Sequence, residues 1–336
     1  MKSKSRLHSA IGGQTLNPYG RRHFDTGGSS SGSGVAIAAN FAAVAIGSET
    51  SGSILSPSSQ NSIIGLKPTI GLVSRSGIVP ISSTLDTAGP MTKNVVDTAI
   101  LLNIIYGFDA ADAKSKKSPI SDANYFDSLS KDALKGKRFG AVKRFMDDTL
   151  YVQALDVLRQ QGAEVVELDA QRISLDGFRN LLNLDMRKDL PVYLSKYANK
   201  DIKIKDVQDV IDFNAKDTLR RAPYGQKLFV GIVNDAGDQR TLDSIKTVLH
   251  TRGKTYFETL KKEYRLDAFL SINNYHASYA AVAEYPAITI PMGYDEDGKP
   301  KGLTFIGEPF TEKTLLAWAY GYEQASKMRR SPKNYD

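Results

Sequence analysis

Hydroxyls and main-chain N–H groups are concentrated in two short stretches of this chain. The first is Gly27-Gly28-Ser29-Ser30-Ser31-Gly32-Ser33-Gly34; the second runs from Gly47 to Ser59 and opens Gly47-Ser48-Glu49-Thr50-Ser51-Gly52-Ser53. Glycine is tolerated at this density where backbone must take unusual dihedrals or approach another group closely. Consecutive N–H groups in such a loop form a concavity that stabilises an anion. A serine closing Thr50-Ser51-Gly52-Ser53 lets one loop supply both a nucleophile and the donors for the oxyanion it creates, which is the geometry of acyl transfer.

Between the loops, Val35 to Ile46 is almost wholly Ala, Val, Ile and Phe, and this connector is expected to be buried. Val35 to Phe41 suits a helix opening on the first loop, and Ala42 to Ile46 a strand delivering the second. Residues 60–91 alternate short apolar runs with glycines and prolines, as strands joined by tight turns do. Val95, Ala99, Leu102 and Tyr106 then share one helical face that ends near Gly107. Residues 109–132 read as a surface linker. Arg138 to Val142 reads as a strand, Tyr151, Ala154, Leu155 and Leu158 as one helix face, Gly162 as the C-cap and Ala163 to Leu168 as the next strand, which makes a parallel pairing. Residues 170–262 are polar and helical with interspersed aromatics, including Tyr193, Tyr197, Phe213, Tyr224 and Phe229. Ala268 to Ile272, Ala287 to Pro291 and Gly302 to Ile306 are expected strands, and Thr311 to Lys327 a closing helix.

The two serine loops, with Gly65-Leu66-Lys67-Pro68-Thr69, Gly71-Leu72-Val73-Ser74, Gly77-Ile78-Val79-Pro80, Leu85-Asp86-Thr87-Ala88-Gly89-Pro90-Met91 and the later Tyr285-Pro286-Ala287-Ile288-Thr289-Ile290-Pro291, resemble the amidase-signature family of serine hydrolases. The resemblance implies an α/β fold, a mixed β-sheet core flanked by helices on both faces, in a single domain over 1–336. Within it, residues 27–107 would be the signature core and 170–262 a variable helical region shaping a substrate funnel. It also implies a Ser-Ser-Lys triad that cleaves amide bonds through an acyl-serine. By position the nucleophile is Ser53 and the relay is Ser29, 24 residues earlier, held in a cis peptide. The oxyanion donors are the backbone N–H groups of Thr50, Ser51, Gly52 and Ser53.

The family's base is a lysine upstream of the first serine loop, beyond the 28 residues that precede Ser29 here, so the chain reads as N-terminally truncated. Lys2 and Lys4 read as solvated lysines and Lys67 as part of a structural motif. Ser51 stands where most relatives have a second glycine and is expected to narrow the site. Leu55 replaces a common arginine, which points away from tRNA-dependent amidotransferases and towards peptide amidases. The implied function is an amidase acting on a small-molecule or peptide amide, first among them a C-terminal peptide amide. The alternative is an impaired fragment or paralogue that binds amide ligands or a partner without turnover. A third reading takes Gly28-Ser29-Ser30-Ser31-Gly32 as the nucleophile elbow of an α/β-hydrolase. An elbow needs a preceding strand, and Arg21 to Thr26 is charged and non-alternating.

With 41% hydrophobic and 24% charged residues the chain has the composition of a globular protein with a substantial core. Its net charge of +7 is spread rather than striped, so no nucleic-acid partner is expected. Zero cysteines exclude disulfides, a thiol nucleophile and zinc–thiolate sites. His8, His23, His250 and His276 show no metal-ligand spacing, and neither metal nor cofactor is expected. No run of eighteen apolar residues is present and no membrane partner is expected. The default compartment is the cytoplasm, with periplasm or secretion open if a leader precedes this sequence. Oligomeric state is not legible.

Overall fold

The computed structural model of the chain describes residues 8–115 and 124–333. It begins with two short paired strands, β1 (His8–Ser9) and β2 (Gly13–Gln14), then helix α1 (Ser31–Ala38), strand β3 (Val44–Glu49), helix α2 (Leu55–Gln60), strands β4 (Ile64–Lys67) and β5 (Thr87–Thr92), and helix α3 (Val95–Ile105). Strand β6 (Arg138–Val142), helix α4 (Thr149–Gln160) and strand β7 (Glu164–Leu168) follow. Helices α5 (Phe178–Tyr197), α6 (Val207–Ala215), α7 (Thr218–Arg221), α8 (Lys227–Val233) and α9 (Gln239–Tyr264) fill the expected helical stretch. The last elements are β8 (Ala268–Ile272), α10 (Ala277–Val282), β9 (Ala287–Tyr294), β10 (Pro300–Ile306) and α11 (Glu312–Ser326).

Eight strands form one sheet in the order β3-β5-β4-β9-β10-β8-β6-β7. Strand β6 runs parallel to β7 and β8, and the other neighbours are antiparallel, so the sheet is mixed as expected. The pairing of Arg138 with Glu164 and Val142 with Leu168 is the parallel unit that the strand-helix-strand pattern predicts. Successive strand residues face opposite sides. Phe305 and Leu270 therefore pack with Leu155, Leu315 and Trp318 on one face. Ile306 and Phe269 pack with Leu55, Phe257 and Ala280 on the other. Edge-to-face contacts of Phe139 with Phe305 and Trp318, at 5.4 and 5.2 Å, centre the larger core.

Local chemistry sets the helix starts. Asn94 accepts from Asp97 N and caps α3, and Asp148 accepts from Tyr151 N and caps α4. Tyr106, expected on the α3 face, is instead the residue that ends the helix in extended backbone. The first helix starts earlier than expected, at Ser31 inside the glycine-serine loop.

The connector departs from expectation. Ile37, Ala38 and Ala39 are buried, but Phe41 is 74% exposed, Ile46 50% and Val44 41%. Strand β3 lies at the margin of the sheet with β5 as its neighbour, so composition alone misreads its second half. Among the described residues no helix is long and apolar enough to cross a membrane.

Candidate active site

The two serine loops meet backbone to backbone. Ser30 N donates to Ser53 O at 3.1 Å, while the Ser30 hydroxyl donates to Ser48 O and accepts from Ser48 N, both at 3.1 Å. Asn61 Nδ2 bridges Thr26 O and Pro57 O, and Asn17 Nδ2 bridges Asp25 O and Gln60 O, which ties the approach to the first loop onto α2. Gly27 has φ +62°, and a Cβ there would stand 2.6 Å from the Ser56 carbonyl carbon, so only glycine admits this approach. The peptide between Gly28 and Ser29 is cis, as the resemblance implies. Ser53 is half-buried at the end of the second loop and Ser29 is exposed at its side. The structure brings the loops together, yet among the described residues no hydrogen bond joins the Ser29 and Ser53 hydroxyls.

Two buried carboxylates shape the second loop. Glu49 stands immediately before Thr50–Ser53, and its Oε2 accepts from Ile54 N at 2.7 Å and Leu55 N at 2.9 Å, immediately after. The side chain thus closes the loop at its base. Lys67 is 1% exposed and donates to Pro68 O at 3.3 Å. Burial pushes the Glu49 carboxyl up and the Lys67 ammonium down, and their mutual attraction, with Glu312 nearby, opposes both shifts. At the head of the loop, Thr50 Oγ1 donates to Asp86 Oδ1 at 2.5 Å, and Asp86 Oδ2 accepts from Ile81 N and Ser82 N, each at 2.9 Å. Burial raises the Asp86 carboxyl and these donors resist the rise.

Gly52 has φ +88°, and a Cβ there would stand 3.0 Å from Asn274 Nδ2. The loop therefore lies against Asn274 and Ala277, in the stretch that follows β8 and opens α10. His276 in that segment is 3% exposed, 2.8 Å from Arg144 through Nε2 and 2.8 Å from the Ser271 hydroxyl through Nδ1. Leu55 is 1% exposed and packs in the α9–α10 core rather than facing the loops. Ser51 is half-buried. Tyr193 and Tyr197 of α5 wall a cavity of about 460 Å³ that also touches Ile78, Pro80 and Asp86, which sets the helical stretch beside the loop's anchor. Lys2 and Lys4 lie outside the described residues. Among the described residues no cluster of His, Asp and Glu could hold a metal ion.

Sequence reasoning missed the contacts of Glu49 and Asp86. Asp86 stood in a quoted motif with no task.

With this geometry in view, known proteins are informative. The sequence profile of the Amidase family matches residues 3–270. The chain belongs to the amidase family. A probable amidase of Arabidopsis thaliana is 34% identical over 97% of this chain and 65% of its own length. An amidase family protein from Bacillus anthracis superposes with a TM-score of 0.94 at 36% identity, over 99% of this chain and 67% of that one. Peptide amidase from Stenotrophomonas maltophilia superposes with a TM-score of 0.88 at 36% identity, over 98% and 72%. This amidase-family chain therefore spans about two thirds of the length of the relatives it matches, and these structures share its mixed sheet and flanking helices.

Proposed function

We propose that this chain carries the nucleophile and oxyanion loops of an amidase that hydrolyses a carboxylic amide through an acyl-serine. The observation that carries the reading is the joining of the two serine loops at Ser30 N and Ser53 O, with Glu49 closing the second loop around the four N–H groups that precede α2. In this mechanism Ser53 Oγ attacks the amide carbonyl carbon and the oxyanion forms against the N–H groups of Thr50, Ser51, Gly52 and Ser53. Ser29 passes the proton towards the leaving amine, the C–N bond breaks, and water then releases the acid. The resemblance assigns the base to an upstream lysine. Lys67 is engaged beneath the loop with Pro68 O and is not placed in that role.

The substrate proposed first is a C-terminal peptide amide, supported by the likeness to peptide amidase. Residues 27–107 act as the signature core and 170–262 as the funnel wall, a division supported by the cavity that Tyr193 and Tyr197 share with Asp86. One second reading, a protein that binds amides without turning them over, is favoured by the lack, among the described residues, of a hydrogen bond between the Ser29 and Ser53 hydroxyls. A fluorophosphonate probe followed by peptide mass spectrometry tests the first: adduct on Ser53, absent in Ser53→Ala, is expected, and adduct elsewhere refutes it. Ammonia release from a peptide amide separates turnover from binding alone.

A further inference from the structure

The anchor of the nucleophile loop does not end at Asp86. Ser82, fully buried, donates its N–H to Asp86 and its hydroxyl to Asp185 Oδ2 at 2.5 Å. Thr84 N reaches the same Asp185 oxygen at 3.3 Å, and Ser83 N donates to Asp189 Oδ2 at 2.7 Å. Asp185 and Asp189 are four residues apart on α5 and so share one face, turned to residues 82–84. Lys246 of α9 stands 3.0 Å from Asp185 Oδ1. Asp185 is 0% exposed, beside an apolar cluster of Leu85, Leu181, Leu184 and Leu242. A charge in such a place is costly unless its partners are fixed. The partners here are Lys246 and the turn that carries Asp86.

We propose that Asp185 is a positioning residue for the loop Thr50–Ser53. It holds Ser82, Ser82 and Ile81 hold Asp86, and Asp86 holds Thr50. The helices of residues 170–262 thereby set the geometry of the oxyanion donors as well as walling the site. The proposal deepens the amidase reading and rests on it for its catalytic consequence, but its structural content is measurable without turnover.

The experiment is hydrogen–deuterium exchange on the full chain, read at peptides spanning Gly47–Ser56, whose Ile54 and Leu55 amides are protected by Glu49. Asp185→Ala is expected to speed exchange there about fivefold or more, the scale of coupling within one hydrogen-bonded network. Leu181→Ala, which opens the same helix contact one turn away without touching a carboxylate, is the control for plain destabilisation and is expected to leave that peptide unchanged under native conditions. If Asp185→Ala does not fold, Ser82→Ala removes the hydroxyl that donates to Asp185 and accepts from Leu85 N, keeps the Ser82 N–H that donates to Asp86, and carries the same expectation. Faster exchange confined to residues 81–85 and α5, or an equal response in Leu181→Ala, overturns the proposal. Failure of Ser53 labelling with the exchange coupling intact would sink the amidase reading alone.

Discussion

His276 offers a quantitative test of the segment, between Asn274 and Ala277, that backs the second serine loop. Arg144 can only donate, so at 2.8 Å His276 Nε2 must be unprotonated, and the imidazole proton sits on Nδ1, towards the Ser271 hydroxyl. Tyr256, Phe145 and Tyr279 pack around the ring at centroid distances of 5.3 to 6.3 Å. Burial, and secondarily the Arg144 charge, depress its pKa from 6.5 to about 3. In the unfolded chain the ring titrates normally, so between those two values the unfolded state binds more protons than the fold. The stabilisation that His276 contributes is therefore complete above about pH 6.5 and is lost progressively as pH falls towards 3. Lowering pH from 7 to 5 covers about 1.5 units below the unfolded value, or about 2 kcal/mol at 1.36 kcal/mol per unit. Glu49, Asp86, Glu312 and Glu323 have carboxyls raised by burial and push the other way, so the wild-type slope alone is not diagnostic. His276→Gln supplies the reference, because a carboxamide oxygen still accepts from Arg144 and does not titrate. Urea unfolding, followed by fluorescence of the single and buried Trp318, is measured for both proteins at pH 5, 6, 7 and 8. The stability difference between them is expected to shift by about 2 kcal/mol from pH 7 to 5, against the wild type. A difference that stays flat to within about 0.5 kcal/mol would show that His276 is not held neutral by the fold.

Further outcomes follow from the same contacts. Glu49→Ala orphans Ile54 N and Leu55 N and removes one of the buried acids, with Glu312, that attract Lys67; a loss of about 3–5 kcal/mol by denaturant unfolding is expected, partly restored by adding Lys67→Met. Gly52→Ala forces a side chain into φ +88° and against Asn274, at a cost of about 1–3 kcal/mol, and should slow Ser53 labelling more than it lowers stability; unchanged labelling would separate this backbone from the oxyanion site. Leu55→Arg puts a guanidinium into the core beside Tyr256 and Phe257 and should lose at least about 3 kcal/mol of stability, whereas a neutral result would mean that this position opens to solvent.

Much of the fold was legible because its signals are local. Alternation and turn residues gave β6, β7, β8 and β10 within a residue or two, and Gly162, at φ +82°, follows the end of α4 by one residue past its cap. The serine loops were legible for the same reason, since glycine density marks backbone that must come close to something. What escaped depends on long-range geometry. Nothing in Val44 or Ile46 says that β3 ends at the sheet's margin, and nothing in Asp185 alone says that a turn a hundred residues earlier waits for its carboxylate. Short polar residues in motifs, such as Asp86, are visible as types and invisible as tasks until their donors are in place.

The margin of the sheet has a practical side. Strand β3 pairs with β5 on one flank, and Phe41, Val44 and Ile46 present greasy side chains to water. The hydroxyls of Ser30 and Ser33 already occupy the peptide groups of Ser48 and the carbonyl of Ile46 on this edge, so a second molecule would meet the side chains rather than a bare strand. Colloidal behaviour, rather than thermodynamic stability, is then the property that dictates handling: yield and apparent size should depend on how concentrated the sample is, and a lysine at Val44 or Ile46 would make the protein easier to keep in solution.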